Sequence, residues 1–395
     1  MYDLNEKAEK DGKDGKEGKA GATRGSANKY KLLLIVIVVI AAIIVAAAIL
    51  SSLKPKSSLS PSINAKASGA FFLGPDGSPM NASFMSIISN LSAQLEVVGE
   101  EQLSGTFIHV NATSSQPGFY VLLFGNASVQ NYDLVPIPVS PSIAPLTSNN
   151  TLMFVFISAQ GCPYCAGMRW PVAIALSRFG NFSKLFYDRS ATNDGNVPTF
   201  MFNFSEAEFN SATKNPPVSN GEAPYGDEYP TPISTGSYYA SKYITLEPFD
   251  EMGSSFFFND TGLEALSPLV YSNVYLEANK QVNGTYSGFG IKGFSMGGVP
   301  FFSIGNKYVF DGAIINASTY LSQTGLEIYN THASMLYSIE NPKPGSFGQT
   351  ALGAANLLTA DICLSINNTA PVCSLPYIKQ LEAKLSALNY SGEYS

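Results

Sequence analysis

The chain has 395 residues, with 23 Lys and Arg against 30 Asp and Glu, two His and four Cys, for a net charge of −7. An acidic balance without a basic cluster argues against nucleic acid as a partner. Two isolated His and four Cys leave little from which to assemble tetrahedral zinc, which needs four ligands at short spacings.

Residues 1–31 alternate Lys with Asp and Glu, are salted with Gly and offer almost nothing to bury. They read as a disordered cytoplasmic tail. Residues 32–50, LLLIVIVVIAAIIVAAAIL, are uncharged and apolar throughout. At ~1.5 Å per residue they give about 28 Å of helix, enough for a bilayer core of ~30 Å. The alternative is a cleaved signal peptide, whose apolar stretch is usually shorter, roughly 7–15 residues. Arg24, Lys29 and Lys31 favour an inside N-terminus, against Lys54 and Lys56 on the far side. All twelve Asn-x-Ser/Thr sequons, from Asn81 to Asn389, follow this stretch. Together these features predict a single-pass protein of the cell membrane, its N-terminus cytoplasmic and its glycosylated C-terminal domain extracellular.

Residues 51–70 form a Ser/Pro/Lys linker, and 71–150 a helix and strand extension. Phe84, Ile87, Ile88, Leu91 and Leu95 recur at helical spacing between Met80 and Gly99. GTFIHVNA and GFYVLLFGN predict strands, and the Pro-rich stretch 134–145 a connector. LMFVFI, Leu152 to Ile157, predicts a strand buried on both faces. QGCPYC turns the chain into a helix with Met168, Val172, Leu176 and Phe179 on one face, Pro171 kinking it and Gly180 ending it. VPTFMFNF and YITLEPF predict strands within a long mixed segment, followed by a helix after Pro268. Residues 299–312 read as a β-hairpin with Gly305-Asn306 at the tip. A further helix is expected from Asn316 or Ser318, and two amphipathic helices flanking Cys363 and Cys373 in 346–395.

The chemistry centres on Cys162 and Cys165. A thiolate, not a thiol, attacks disulfides, and the free N–H groups at a helix start lower a cysteine pKa from ~8.5 to roughly 3.5–7.5. Strand, CxxC turn and helix therefore assign Cys162 as an exposed nucleophile and Cys165, one turn deeper, as the resolving thiol. A static disulfide and half of a zinc site are the competing readings. Arg169, one turn past Cys165, reads as a surface residue that can also add positive potential; Trp170 reads as core or as a lip of the site. Cys363 and Cys373 read as a structural disulfide, stabilising by roughly 3 kcal/mol on the loop-entropy argument, with a second redox pair as the sharper alternative. Gly288, Gly290 and Gly293 spell GxGxxG but lead into a hairpin rather than a helix, so they predict a loop. His109 and His332 stand apart from any nucleophile.

Strand–CxxC–helix followed by Val299-Pro300 and a hairpin resembles the thioredoxin-like superfamily, and Pro163-Tyr164 resembles the glutaredoxin dipeptide. CPYCAGMRWPVAIALSRFGNFS is also similar to an archaeal family of membrane-anchored proteins of undetermined function, over about residues 80–375. The resemblance implies an α/β thioredoxin-like domain at 151–345 with an insertion at about 185–295, and a helical extension at 346–395 holding the disulfide. It implies a cis-proline loop at Val299-Pro300 that, with Pro163 and Tyr164, holds a substrate backbone. The expected activity is disulfide oxidase or isomerase work on cysteine-containing secreted or membrane proteins, needing no metal or organic cofactor. Thioredoxins carry a buried acid in the strand before the CxxC; the matching place here is Phe156. Two rival functions are a recognition module using Tyr238, Tyr239, Phe256 and Phe257, and a copper-handling protein using the cysteines with Met296.

Overall fold

The computed structural model describes residues 79–113, 116–126, 129–159, 161–190, 195–202, 238–251, 267–322 and 328–394. The expected tail, apolar span 32–50 and linker lie outside these residues. Among the described residues no helix is long and apolar enough to cross a membrane.

The helical pattern after Met80 forms two helices, not one. Asn81 caps α1 (Ala82–Ser89) by accepting from the Phe84 N–H at 2.8 Å, and the chain breaks at Asn90 before α2 (Ser92–Leu103). The predicted strands follow as β1 (Thr106–Val110) and β2 (Phe119–Asn126), which with β3 (Val129–Leu134) make an antiparallel sheet. The Pro-rich connector contributes two short strands, β4 (Ile137–Pro138) and β5 (Thr147–Ser148).

LMFVFI lies within β6 (Thr151–Ala159), whose seven central residues are all buried. It leads through the cysteine turn into α3 (Pro163–Ser177). The chain then adds β7 (Asn181–Phe182), β8 (Phe186–Arg189), β9 (Pro198–Met201), β10 (Tyr239–Ala240) and β11 (Ile244–Glu251). Helix α4 runs Pro268–Val270, a π-turn Tyr271–Tyr275 and Leu276–Ala278. The ribbon β12 (Gln281–Val282) and β13 (Thr285–Tyr286) precedes the hairpin β14 (Phe301–Ile304) and β15 (Tyr308–Asp311). Gly305 and Asn306 at its tip have φ of 57° and 52°, the left-handed pair that a two-residue turn between twisted strands requires.

The central mixed sheet runs β11–β6–β14–β15–β4, with β5 also on β6. β11 lies parallel to β6, with Ile244 opposite Leu152, so β6, α3 and β11 make a strand–helix–parallel strand unit. β14 is antiparallel to β6, pairing Phe301 with Ile157. The segment expected as an insertion is thus interrupted by β11, an edge strand of this sheet. β4, in the expected N-terminal extension, caps the opposite edge, where Pro138 needs no ladder N–H.

Asn316 caps only a 3-10 turn (Ala317–Thr319), not a long helix. The next helix, α5 (His332–Glu340), starts at a capping box between Thr331 and Ser334. Helix α6 (Phe347–Ser365) is buried on nearly every residue, in place of the expected amphipathic pattern, because α2, α3, α5 and α7 (Pro376–Ser386) all pack on it. Cys363 sits within α6 and is disulfide-bonded to Cys373, which ties the end of α6 to the approach of α7.

Helix α3 carries uninterrupted through Pro171. The expected apolar face is buried, and so is the opposite one, because α1, α6 and β9 cover it. Trp170 is core: its indole N–H donates to the Pro198 carbonyl at 3.1 Å, and the rings of Phe84, Phe200 and Phe347 surround it.

Candidate functional site

β6 ends at Ala159, and the chain turns back so that the Cys162 N–H donates to the Ala159 carbonyl at 3.3 Å. Cys162 has extended backbone (φ −75°, ψ 122°) and is the N-cap of α3, with Pro163 filling the first helical position, where no N–H is needed. The Cys162 Sγ accepts from the Cys165 N–H at 3.5 Å. The Cys165 Sγ accepts from the Ala159 N–H at 3.3 Å, which draws it back over the end of β6. Both cysteines are free thiols.

The antiparallel pairing of β14 with β6 sets the start of β14 against the end of β6, and so brings Val299 to the cysteines. The Val299-Pro300 peptide is cis. The protonated Cys162 Sγ donates to the Val299 carbonyl at 3.9 Å. The loop before it is held from β15: the Asp311 carboxylate accepts from the Gly297 N–H at 2.9 Å, and the Pro300 carbonyl accepts from the Gly312 N–H at 2.7 Å. Beside this loop opens a cavity of about 350 Å³ whose lining includes Tyr132, Leu134, Tyr164, Val299, Pro300 and Ile315 and, among the described residues, no charged one. β3 supplies Tyr132 and Leu134 because strand alternation turns Asp133 the other way, where it accepts from the Thr350 hydroxyl of α6 at 2.7 Å.

The two sulfurs are electrostatically unequal. The Cys165 thiol donates toward Cys162 and lowers its pKa; burial opposes, while the backbone N–H groups of Cys165 and Tyr164 and the charge of Arg169 add to the lowering. Burial, followed by the hydrogen bond and charge of Cys162, pushes the Cys165 thiol well up despite Arg169. The anion of the pair therefore resides on Cys162.

Two expectations change here. Cys162 is not exposed: only 3% of its surface reaches solvent, whereas Tyr164 is 48% exposed. The thiol is wedged between the helix start and the Val299 carbonyl. Arg169 is not a surface residue but fully buried, donating to the Ser158 Oγ and the Ala159 carbonyl, both at 3.2 Å. From Cys165 to Leu176 the helix that carries it is buried at every residue.

Phe156 is fully buried against Phe202, so the strand holds no acid at that place. A buried phenol, Tyr320, lies near the pair instead. Its ring and hydroxyl rest on Gly167, two residues beyond Cys165, and among the described residues the hydroxyl has no hydrogen-bond partner. Burial raises its pKa far above the ordinary value, and charge on Cys162 or Cys165 pushes the same way. Its 155-residue separation from Cys165 hid it; the only local signal was a glycine inside a helix.

The other candidates lie apart. Tyr239 packs at a tilt against Phe182 and donates to the Leu176 carbonyl at 2.9 Å, clamping the end of α3. Tyr238 packs on Phe186 beneath Lys184. Phe256 and Phe257 lie outside the described residues. Met296 is packed in the core. Gly288, Gly290 and Gly293 form a 3-10 turn and loop rather than a helix start. His109 meets Glu393 at 3.3 Å, and the His332 Nε2 meets the carbonyls of Asp188 and Thr199. Among the described residues, the only grouping of three His, Cys, Asp or Glu ligand atoms is Cys363, Cys373 and Glu382, and the disulfide consumes both sulfurs.

A family model described as a domain of unknown function, DUF929, matches residues 138–219, a span that takes in the cysteine pair and α3. The chain is similar to that family over this segment, and the description carries no activity. No curated protein and no solved structure matches the chain.

Proposed function

We propose that the chain is a thioredoxin-like thiol–disulfide oxidoreductase, with Cys162 as nucleophile and Cys165 as resolving thiol. The observation that carries this reading is the pair's asymmetry: Cys162 caps α3 with a lowered pKa, and Cys165 is buried with a raised one. The strand–helix–parallel strand unit, the antiparallel hairpin and a cis-proline beside Cys162 support the fold assignment.

In the reducing direction the Cys162 thiolate attacks one sulfur of a substrate disulfide. A mixed disulfide forms and the second substrate sulfur leaves as a thiolate. Cys165 then gives up its proton and attacks Cys162, closing the Cys162–Cys165 disulfide and releasing the first substrate sulfur. Two electrons pass to the substrate, and the reverse sequence oxidises a substrate dithiol. Val299, Pro300, Pro163 and Tyr164 form the wall against which the substrate backbone lies, and the uncharged cavity beside them receives its neighbouring side chain.

The proposed setting is outside the cell, on an anchor at residues 32–50, with secreted or membrane proteins as substrates. Nine sequon asparagines have described side chains and none of these is buried, which suits a glycosylated exterior. Direction of exchange in that setting is oxidase or isomerase. The 3% exposure of Cys162 favours one rival, a recognition module that keeps an inert pair.

Trapping separates the two. The Cys165→Ser variant of the full chain is expected to accumulate mixed disulfides through Cys162, and a Cys162→Ser/Cys165→Ser control none. No adduct under oxidising or reducing conditions, with a wild-type pair that resists dithiothreitol, would leave the recognition module standing.

A further inference from the structure

A second cavity, of about 380 Å³, lies between β15, α6 and the chain's C-terminal segment, and shares no lining residue with the cavity beside Cys162. Its wall includes Pro138, Tyr308, Asp361, Tyr390 and Tyr394. Asp361, on α6, is fully buried, and among the described residues neither of its carboxyl oxygens has a hydrogen-bond partner. The buried Tyr390 hydroxyl likewise lacks one among the described residues. An unpaired buried carboxyl costs several kcal/mol when ionised, and burial accordingly raises the Asp361 pKa well above the ordinary value, so that a cation entering the cavity would offset that cost and favour the ionised form.

Among the described residues the chain does not supply that partner. Among the described residues the cavity is lined by no Lys, Arg or His. Lys379 on α7 is held by Glu382 at 3.2 Å and does not line it. Burial and then the charge of Asp361 push up the phenols of Tyr308 and Tyr390, so both rings lie within electrostatic reach of the carboxyl. A buried carboxyl walled by tyrosines and prolines suits a cation with an apolar skin, since ring quadrupoles attract cations without the hydrogen bonds that a metal's water shell demands. A divalent metal ion wants several charged oxygen ligands, and this wall offers one carboxyl beside neutral hydroxyl and amide oxygens. The volume is at the low end for ligand sites, roughly 300–1,000 Å³, which limits the occupant to a small molecule.

We infer that this cavity binds a small organic ammonium ion, with Asp361 as its counter-charge and the rings of Tyr308, Tyr390 and Tyr394 around its alkyl groups. Nothing in this site depends on the cysteine chemistry, and either proposal stands if the other falls.

The test is isothermal titration of the full chain with choline, with n-propylammonium, and with 3,3-dimethyl-1-butanol, the uncharged isostere of choline. Saturable binding of at least one cation and none of the isostere is expected. Asp361→Asn, which removes an unpaired carboxyl and keeps the fold, should weaken that binding at least tenfold; Tyr394→Leu should weaken it several-fold. Absence of binding by both cations, equal binding of the isostere, or an unchanged affinity in both variants would overturn the inference.

Discussion

Replacing Gly167 by Ala tests the packing that holds the cysteine helix. In the interior of a helix this change ordinarily stabilises by about 1 kcal/mol, because Gly is the more costly residue to order. Here the new Cβ would stand 2.4 Å from the Tyr320 Cζ, 2.6 Å from its hydroxyl oxygen and 2.9 Å from Cε1. Ordinary carbon contacts are ~3.5–4.0 Å, so the ring must retreat by about 1 Å. It has little room to do so. Tyr320 is fully buried, its ring meets Phe347 at 5.6 Å, and its carbonyl accepts from the Ile328 N–H at 2.8 Å. Overpacking of this kind costs ~1–3 kcal/mol. The clash outweighs the propensity gain, and Gly167→Ala should destabilise by up to about 2 kcal/mol. In a Tyr320→Ala background the obstacle is gone, and the same change should stabilise by about 1 kcal/mol. Urea unfolding at constant slope reads both values. A stabilised single variant, or the same shift in both backgrounds, would refute the reasoning.

Two further outcomes are expected. Arg169→Met removes the positive charge that lowers both thiols, so the Cys162 titration midpoint should rise; a midpoint unchanged in a folded variant contradicts the assigned role. Stability should also drop by about 1–3 kcal/mol, since the buried acceptors of Ser158 and Ala159 lose a donor. Burial pushes His332 down to about 4 from 6.5. The unfolded chain takes up this proton below pH 6.5 and the folded chain does not until about 4, so stability present above 6.5 is lost as pH falls through that window. The loss is about 3 kcal/mol at ~1.4 kcal/mol per unit. Asp311, pushed up to about 6 by burial, acts oppositely and lowers stability as pH rises from about 4 to about 6. Comparing wild type with His332→Gln isolates the histidine, and chemical denaturation across pH 4–7 should show a smaller acid loss in the variant. Superimposable curves would contradict the assignment.

Sequence pattern reached those parts of the site whose cause is local. A continuous apolar run yields β6, Pro163 after Cys162 marks the start of α3, and Gly305-Asn306 marks the hairpin tip. What escaped depends on residues far along the chain. Arg169 carries a charge and reads as surface, yet α6, from nearly two hundred residues onward, helps cover the helix it sits on. α6 lacks the amphipathic stripe that was expected because other helices enclose it. β11 was legible as a strand, but its parallel place beside β6 was not, since composition does not specify a partner. Cys162 looked exposed because a helix start usually is; the cis Val299-Pro300 loop closes over it from 137 residues away. Asp361 and Tyr320 carry no motif at all, and only the cavity and the unpaired oxygens draw attention to them.

The most direct measurement is the pH dependence of alkylation at Cys162 in the reduced full chain, resolved by peptide mass so that the two cysteines are read separately. Restricted access slows the rate at every pH, and the midpoint still reports the thiol's pKa. The expected result is a midpoint for Cys162 clearly below the free-cysteine value of ~8.5, with Cys165 unreacted until well above it. A Cys162 midpoint at or above ~8.5, or no reaction at any pH, would contradict the account.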